Sequence, residues 1–460
     1  MRRVRRTTTL TAAGLLGLAL LAPTTAATAA ETCRGEAATI VGTGPTLTGT
    51  EGRDVIVSGP ATSVFALGGN DLICVTGSGS PSVDAGTGDD VVDTTGIASA
   101  AGVTTVLGAG ADTFVGGRSE DAVHAGHRSD SSTNAPDPGS DSEADRVDTG
   151  EGDDAVFTGS AGAANHDVVT LGTGTDYLFV GSSAVAADAV LDGADGVDAL
   201  RLATGDSDVS LDLELGTLTT SLGASRLTSF ESTNLLTGTG RITYQGTAGN
   251  DHLEVHPQSG PTPLDIATAA GQDEIVVEPA DIAAGSRING GEGRNGLVAP
   301  SRTGSMALDL EQGVLVVDGR SSTVAGLQDA FLMAPEVTMV GNDRGNNLTF
   351  AGCRGDLRGG AGRDRLRNAY DYYYEFYTFD CRARTVMVGG PAADHLRGGQ
   401  GGDRLFGGSG SDEINGRGGN DRILGDEAAD TLVGGRGRDF ADGSTGHDRC
   451  VAERERRCER

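Results

Sequence analysis

Seven aspartates recur at nine-residue intervals near the end of this chain: Asp394, Asp403, Asp412, Asp421, Asp430, Asp439 and Asp448. Each is the sixth residue of a word that opens with Gly, from GGPAADHLR at 389 to GSTGHDRCV at 443. The eighth residues are Leu396, Leu405, Ile414, Ile423, Leu432, Ala441 and Cys450. In a word such as GGSGSDEIN (407–415), the glycines permit a tight turn whose carbonyls face one concave side. Glu413-Ile414-Asn415 then reads as a very short strand with Ile414 pointing inward. Two words make one turn of a coil, and stacked turns pair their strands in parallel around a thin aliphatic ladder. Carboxylates of alternate words therefore face each other across roughly one strand spacing, about 4.8 Å. Empty, that arrangement repels itself. A hard dication in the gap reverses the sign. Calcium takes six to eight oxygens in flexible geometry and uses backbone carbonyls; magnesium demands a tighter octahedron. Zinc prefers nitrogen and sulfur, which these loops lack.

The elements that must hold these acids are strands. A full word also stands at 359–367 (GGAGRDRLR), and Leu348, Leu357 and Leu366 keep the nine-residue step. Looser words across 49–200, such as GTGDDVV and GEGDDAVF, place Asp two residues before an apolar residue. Asp112 and Asp121 are nine apart, as are Asp145 and Asp154, then Asp167 and Asp176. In the middle, SLDLELGTL (210–218) echoes ALDLEQGVL (307–315), and Leu211, Leu213 and Leu215 alternate with Asp212 and Glu214 as in a half-buried strand. Helical periodicity is weak throughout, so the reading is all-β.

The words resemble the GGxGxDxUx nonapeptide of the RTX (hemolysin-type) calcium-binding repeats. The resemblance is close over 359–367 and 389–451 and weaker over 49–200. It implies a right-handed parallel β-roll, or β-solenoid, that binds several Ca2+. It also implies that Asp364, Asp394, Asp403, Asp412, Asp421, Asp430 and Asp439 are ligands, with Asp71, Asp90, Asp112, Asp121, Asp154 and Asp176 as weaker candidates. Departures fall at Ala392 and Ala428 in fourth positions, at Arg417 and Asp426 in second positions, and at Ser444 and His447 in the last word. Sites built on those loops are expected to be weaker or empty, and Asp448, with no following loop on its side, to act as a cap.

Composition agrees with a thin core. Of 460 residues 74 are Gly, aromatics are 4%, and Trp is absent. Formal charge is −30, and all 35 basic residues are Arg. Such a surface favours cations and argues against nucleic acid and anionic membranes as partners. The start, MRRVRR followed by the apolar stretch Leu10–Ala22 and Ala27-Thr28-Ala29, reads as a secretory signal peptide over 1–30. No second apolar segment ends the chain, so the expected state is secreted and extracellular, without a membrane span. Six cysteines in an exported protein suggest disulfides. Proximity favours Cys33–Cys74, Cys353–Cys381 and Cys450–Cys458.

Other motifs are faint. His252-Leu253-Glu254-Val255-His256 puts three ligand types on one strand face, but a solvated face is the better reading than a zinc site. No GxSxG elbow, P-loop or HExxH occurs, and no enzymatic activity is expected. The insert at 368–388 holds five of the seven tyrosines and reads as a strand-like hairpin or flap; its aromatics cap the roll or offer a ligand platform.

The expected organisation is a signal peptide at 1–30, an irregular RTX-like solenoid at 31–205 and duplicated β modules at 206–340. A β-roll with the Tyr-rich insert follows at 341–451, closed by a basic, disulfide-linked cap at 452–460. The expected function is secreted calcium binding coupled to folding outside the cell. The alternative is an adhesin or matrix protein, stiffened by calcium, with a cell-surface, glycan or protein partner.

Overall fold

A computed structural model describes residues 31–97, 102–126, 142–159, 163–279, 282–369, 379, 381 and 383–459. The signal-peptide segment, most of the polar loop at 125–144 and the core of the Tyr-rich insert lie outside them.

The nine-residue step determines the local structure. In word 407–415 the turn residues Gly408 and Gly410 take φ of +113° and +138°, which an L side chain rarely adopts. Glu413–Asn415 is then a three-residue strand in which only Ile414 is buried. The next word supplies Arg422–Glu427 on the opposite side, and Thr431–Val433 returns to the first. Ile414 pairs in parallel with Leu432, two words on. Repetition of this step builds two long parallel sheets. Sheet I runs from Thr46–Thr48 to Arg449–Val451, and sheet II from Ile40–Val41 to Arg454–Arg456. No α-helix occurs among the described residues, and no helix among them is long and apolar enough to cross a membrane. The chain is an all-β parallel solenoid.

One continuous apolar ladder fills the gap between the sheets, from Leu47 to Ala441. Leu396, Leu405, Ile414, Ile423, Leu432 and Ala441 are each at most 2% exposed. A fully buried Leu or Ile contributes about 1.5–3 kcal/mol. One such residue per nine is a narrow core, so the loops must also be satisfied for the roll to hold.

Toward the N-terminus the strands keep register while the loops change length. Val64 pairs with Val83, Val156 with Leu178, and Ala122 with Ala155. Extra residues leave as loops, so the inward position is preserved although the nine-residue step is lost. The duplicated segments do something different. Val209–Asp212, Thr217–Thr220 and Gly223–Thr228 form an antiparallel meander inside sheet II, and so do Ser305–Asp309, Val314–Val317 and Arg320–Ala325. The alternation expected through Leu215 stops at Asp212. The Asp212 carboxylate accepts the Leu215 N–H at 2.8 Å and closes a turn, leaving Leu215 74% exposed.

Disulfides join Cys33–Cys74, Cys353–Cys381 and Cys450–Cys458. The tail pairs its Arg454–Arg456 with Phe440–Asp442, and Arg457 clasps Asp442 through two bonds at 2.6 and 2.5 Å.

Candidate metal centre

Each word's sixth residue sits just before its strand, at the edge where the loop enters the sheet. There its carboxylate points back along the stack. Asp412 Oδ1 accepts the backbone N–H of Asp394 at 2.8 Å, and Asp430 Oδ1 accepts that of Asp412 at 2.9 Å. On the other edge Asp421 takes the N–H of Asp403, and Asp439 that of Asp421, both at 2.8 Å. The carboxylates thus form two columns in which every acid bonds the backbone of the turn before it. They do not face one another, as the spacing alone suggested. A solenoid leaves one N–H per turn unpaired at this corner, and at most rungs the short side chain of Asp accepts it.

The column at the start of the sheet I strands is long. It runs Asp121–Asp154–Asp176–Asp198–Glu231, then Asp251–Asp273–Asn295–Gln328, then Asn346–Asp364–Asp394–Asp412–Asp430–Asp448. The sheet II column runs Asp54–Asp71–Asp90–Asp112–Asp145–Asp167 near the N-terminus. It resumes as Thr385–Asp403–Asp421–Asp439–Glu453. All thirteen candidates from the sequence therefore lie in these columns. Reasoning from the nine-residue step missed Asp198, which follows Asp176 by 22 residues, and Asp251 and Asp273, which are also 22 residues apart. The apolar residue two places after each Asp was the available signal.

The second carboxylate oxygen is the unusual atom. Oδ2 of Asp364, Asp394, Asp412, Asp421, Asp430, Asp439 and Asp448 is buried without a hydrogen-bond partner, as it is in Asp71, Asp90, Asp154, Asp176, Asp198 and Asp273. A buried carboxylate oxygen with no donor is costly. Burial accordingly raises these groups' proton affinity: Asp364 and Asp412 are pushed up to about 6, and Asp394, Asp421 and Asp430 to about 7. Two candidates differ. Asp403 Oδ2 accepts the Gly399 N–H at 2.7 Å, and Asp121 is held by Ser119 and Thr94 hydroxyls at 2.9 and 3.1 Å. Those two are satisfied by the protein itself.

What lies beside each Oδ2 is backbone. A Cβ built on Gly407 would collide with both Asp412 Oδ2 and the Gly425 carbonyl oxygen; on Gly416 it would strike Asp421 Oδ2 and the Gly434 carbonyl. Glycine at the first position is therefore required by space, and the spot it vacates is bordered by oxygens. At Asn295 the same place is filled differently. Asn295 keeps the column bond, its Oδ1 accepting the Asp273 N–H at 2.9 Å, while its Nδ2 donates to the carbonyls of Gly290 and, at 3.0 Å, Gly326. The amide reveals the demand of the site: a positive group between a column oxygen and glycine carbonyls. The donor set around the Asp words is all oxygen, suited to a hard cation. Among the described residues no three His, Cys, Asp or Glu side chains converge on one point, so carbonyls must supply most of the shell.

The five departures from glycine keep the loop shape. Ala392, Arg417, Asp426, Ala428 and Ser444 take φ between +69° and +90°, at about 1–2 kcal/mol each. Their loops remain built, under strain.

A family model for the RTX calcium-binding nonapeptide repeat, in four copies, matches residues 106–126, 388–423 and 424–454. The chain carries RTX calcium-binding repeats. No curated protein matches it. The matched residues hold Asp112, Asp121, Asp394, Asp403, Asp412, Asp421, Asp430 and Asp439. The columns extend the same arrangement to unmatched words on either side.

The His252–His256 face is an alternating chain. His252 meets Glu274 and Glu254, and His256 meets Glu254 and Glu278, all at 3.1 Å. Burial works against the charge on His256, but Glu254 and Glu278 outweigh it and raise its proton affinity.

Proposed function

We infer that the protein is a secreted calcium-binding protein whose RTX loops take up several Ca2+ and whose roll is stabilised by them outside the cell. The observation that carries this reading is the buried, unpartnered Oδ2 repeated down both columns beside glycine carbonyls. The residues assigned to hold the ions are Asp364, Asp394, Asp412, Asp421, Asp430 and Asp439 in the regular words, with Asp71, Asp90, Asp154 and Asp176 toward the N-terminus. Asp403 and Asp121 would first have to release the bonds they now make. A bound dication supplies positive charge between carboxylate and carbonyl oxygens. The chain supplies the loop shape, the column bond that aims Oδ2 and the aliphatic ladder that fixes the spacing.

Coupling to folding follows from energetics. The core is narrow, and each empty Asp position leaves a buried oxygen unsatisfied. Ligand that binds only the folded chain adds about 2.7 kcal/mol per site at a hundred times Kd. The N-terminal segment, read as a signal peptide, sends the chain to where calcium is abundant. The reading assigns the protein no catalysis. Far-UV circular dichroism of the mature chain tests it: β signal should rise on adding calcium and not on adding the same concentration of magnesium. Equal signal in chelator would refute the coupling, and calorimetry showing no calcium uptake would refute the ion assignment.

A further inference from the structure

The formal charge of −30 conceals a division. Residues 31–340 hold 12 Arg against 45 Asp and Glu, whereas residues 341–460 hold 19 Arg against 20. In that last part, eight of the acids are the buried column residues Asp364 to Asp448, so arginine dominates its outer surface.

The arginines gather in one place. A groove of about 1120 Å3 on the outer side of sheet II is bordered by Arg354, Arg384, Arg404, Arg422 and Arg436. Its one acidic lining residue is Asp403, whose oxygens are already bonded to the N–H groups of Thr385 and Gly399. Arg354 and Arg384 are register partners on adjacent strands, and so are Arg404 and Arg422. Like charges placed directly opposite destabilise a sheet. Arg354 pairs with Glu336 at 2.9 Å, and Arg422 lies over the Phe440 ring at 5.6 Å. Among the described residues no carboxylate forms an ion pair with Arg384, Arg404 or Arg436. Guanidinium forks match carboxylate and sulfate oxygens in pairs.

We propose that this groove binds an acidic polysaccharide, its arginines gripping carboxylate or sulfate groups on successive sugars. The floor is suited to hydroxyl-bearing rings: Gly402 and Gly437 are exposed, Gly419 is half-buried, and Asn420 adds an exposed amide. Stacked aromatic rings, the usual platform for nucleic-acid bases, do not line it. An extended duplex or an anionic bilayer would also meet the acidic body that precedes residue 341, which repels both. A short stretch of glycan touches only the arginine face. This site borders the sheet II loops that carry Asp403 and Asp421, and it requires those loops to be folded as described above.

The test uses the full mature chain in calcium, with fluorescent dextran sulfate as probe and neutral dextran as its uncharged counterpart. Dextran sulfate should bind, more weakly as salt rises, and neutral dextran should not. The double variant R404A/R422A should bind about tenfold more weakly or worse, because each Arg contributes charge-assisted bonds. R226A/R287A, which removes two sheet II arginines from the acidic part, should bind as the parent does. If R404A/R422A loses its circular dichroism spectrum, R384A/R436A carries the same comparison. Undiminished binding by a folded groove variant would overturn the site. Binding of neutral dextran, or equal competition by single-stranded DNA, would overturn the assignment to an acidic polysaccharide.

Discussion

Two stretches of the sheet I column meet the same problem with opposite chemistry. From Asp364 to Asp448 every rung is a carboxylate with one oxygen bonded and one buried and unpartnered. At Asn295 and Asn346 the rung is an amide. Asn295 Nδ2 serves the Gly290 and Gly326 carbonyls, and Asn346 Nδ2 donates to the Gln328 carbonyl at 2.9 Å. Geometry along the stack is continuous across both. What differs is whether the positive end comes from the protein or must be brought by something else. The amide stretch is complete as folded; the acid stretch is complete only with a cation or a proton. One chain thus contains both an acid array, proposed to depend on calcium, and its built-in control.

The largest expected effect is at the amide rung. N295D exchanges a donor for an acceptor that faces the Gly290 and Gly326 carbonyls. Without calcium it should destabilise the chain by about 2–4 kcal/mol, the cost of two lost bonds and a buried oxygen left unsatisfied. Chemical denaturation in chelator measures this. A change below 0.5 kcal/mol, taken as the ordinary scatter of about that size for surface substitutions, would break the comparison. The converse exchange is D421N, whose amide can donate where Asn295 does. It should raise stability in chelator by about 1 kcal/mol and lower calcium stoichiometry by calorimetry.

Acidity offers a milder probe. The folded values of Asp394, Asp421 and Asp430 are raised from 3.8 to about 7. The folded chain therefore holds more protons than the unfolded chain between those limits. The stabilising contribution is fully present below pH 3.8 and is lost as pH rises through about 7. The calcium-free chain should consequently show more β signal at pH 5 than at pH 8, and calcium uptake near neutrality should release protons. The smallest effect concerns His256, raised by Glu254 and Glu278. Its contribution is present below 6.5 and lost above the raised value. H256A should cost less than about 1 kcal/mol at pH 6 and leave calcium binding unchanged, since this face lies outside the columns.

The sequence disclosed the regular array because words of equal length put Asp394 to Asp439 and their aliphatic partners in one register. It disclosed less wherever length varied. Asp121 and Asp154 are neighbours in one column although 33 residues separate them, because a loop leaves the stack without disturbing Val123 and Val156. The meanders at 209–228 and 305–325 were visible as a duplication but not as antiparallel strands, since the turn after Asp212 depends on a single side-chain bond. The column bond itself was invisible. Spacing brings carboxylates to one edge, but only the corner geometry of the solenoid directs them to a backbone N–H. Asp fills most rungs, but Glu231, Gln328 and Glu453 accept the same bond at three of them.

Hydrogen exchange of the full chain, with calcium and in chelator, tests the central claim most directly. The backbone N–H groups of Asp394, Asp403, Asp412, Asp421 and Asp430 each end in a column carboxylate. Removing calcium should speed their exchange strongly. The N–H groups of Asp273 and Asn295, which end in amide oxygens, should stay protected. Equal loss at both sets, or loss at neither, would contradict the account.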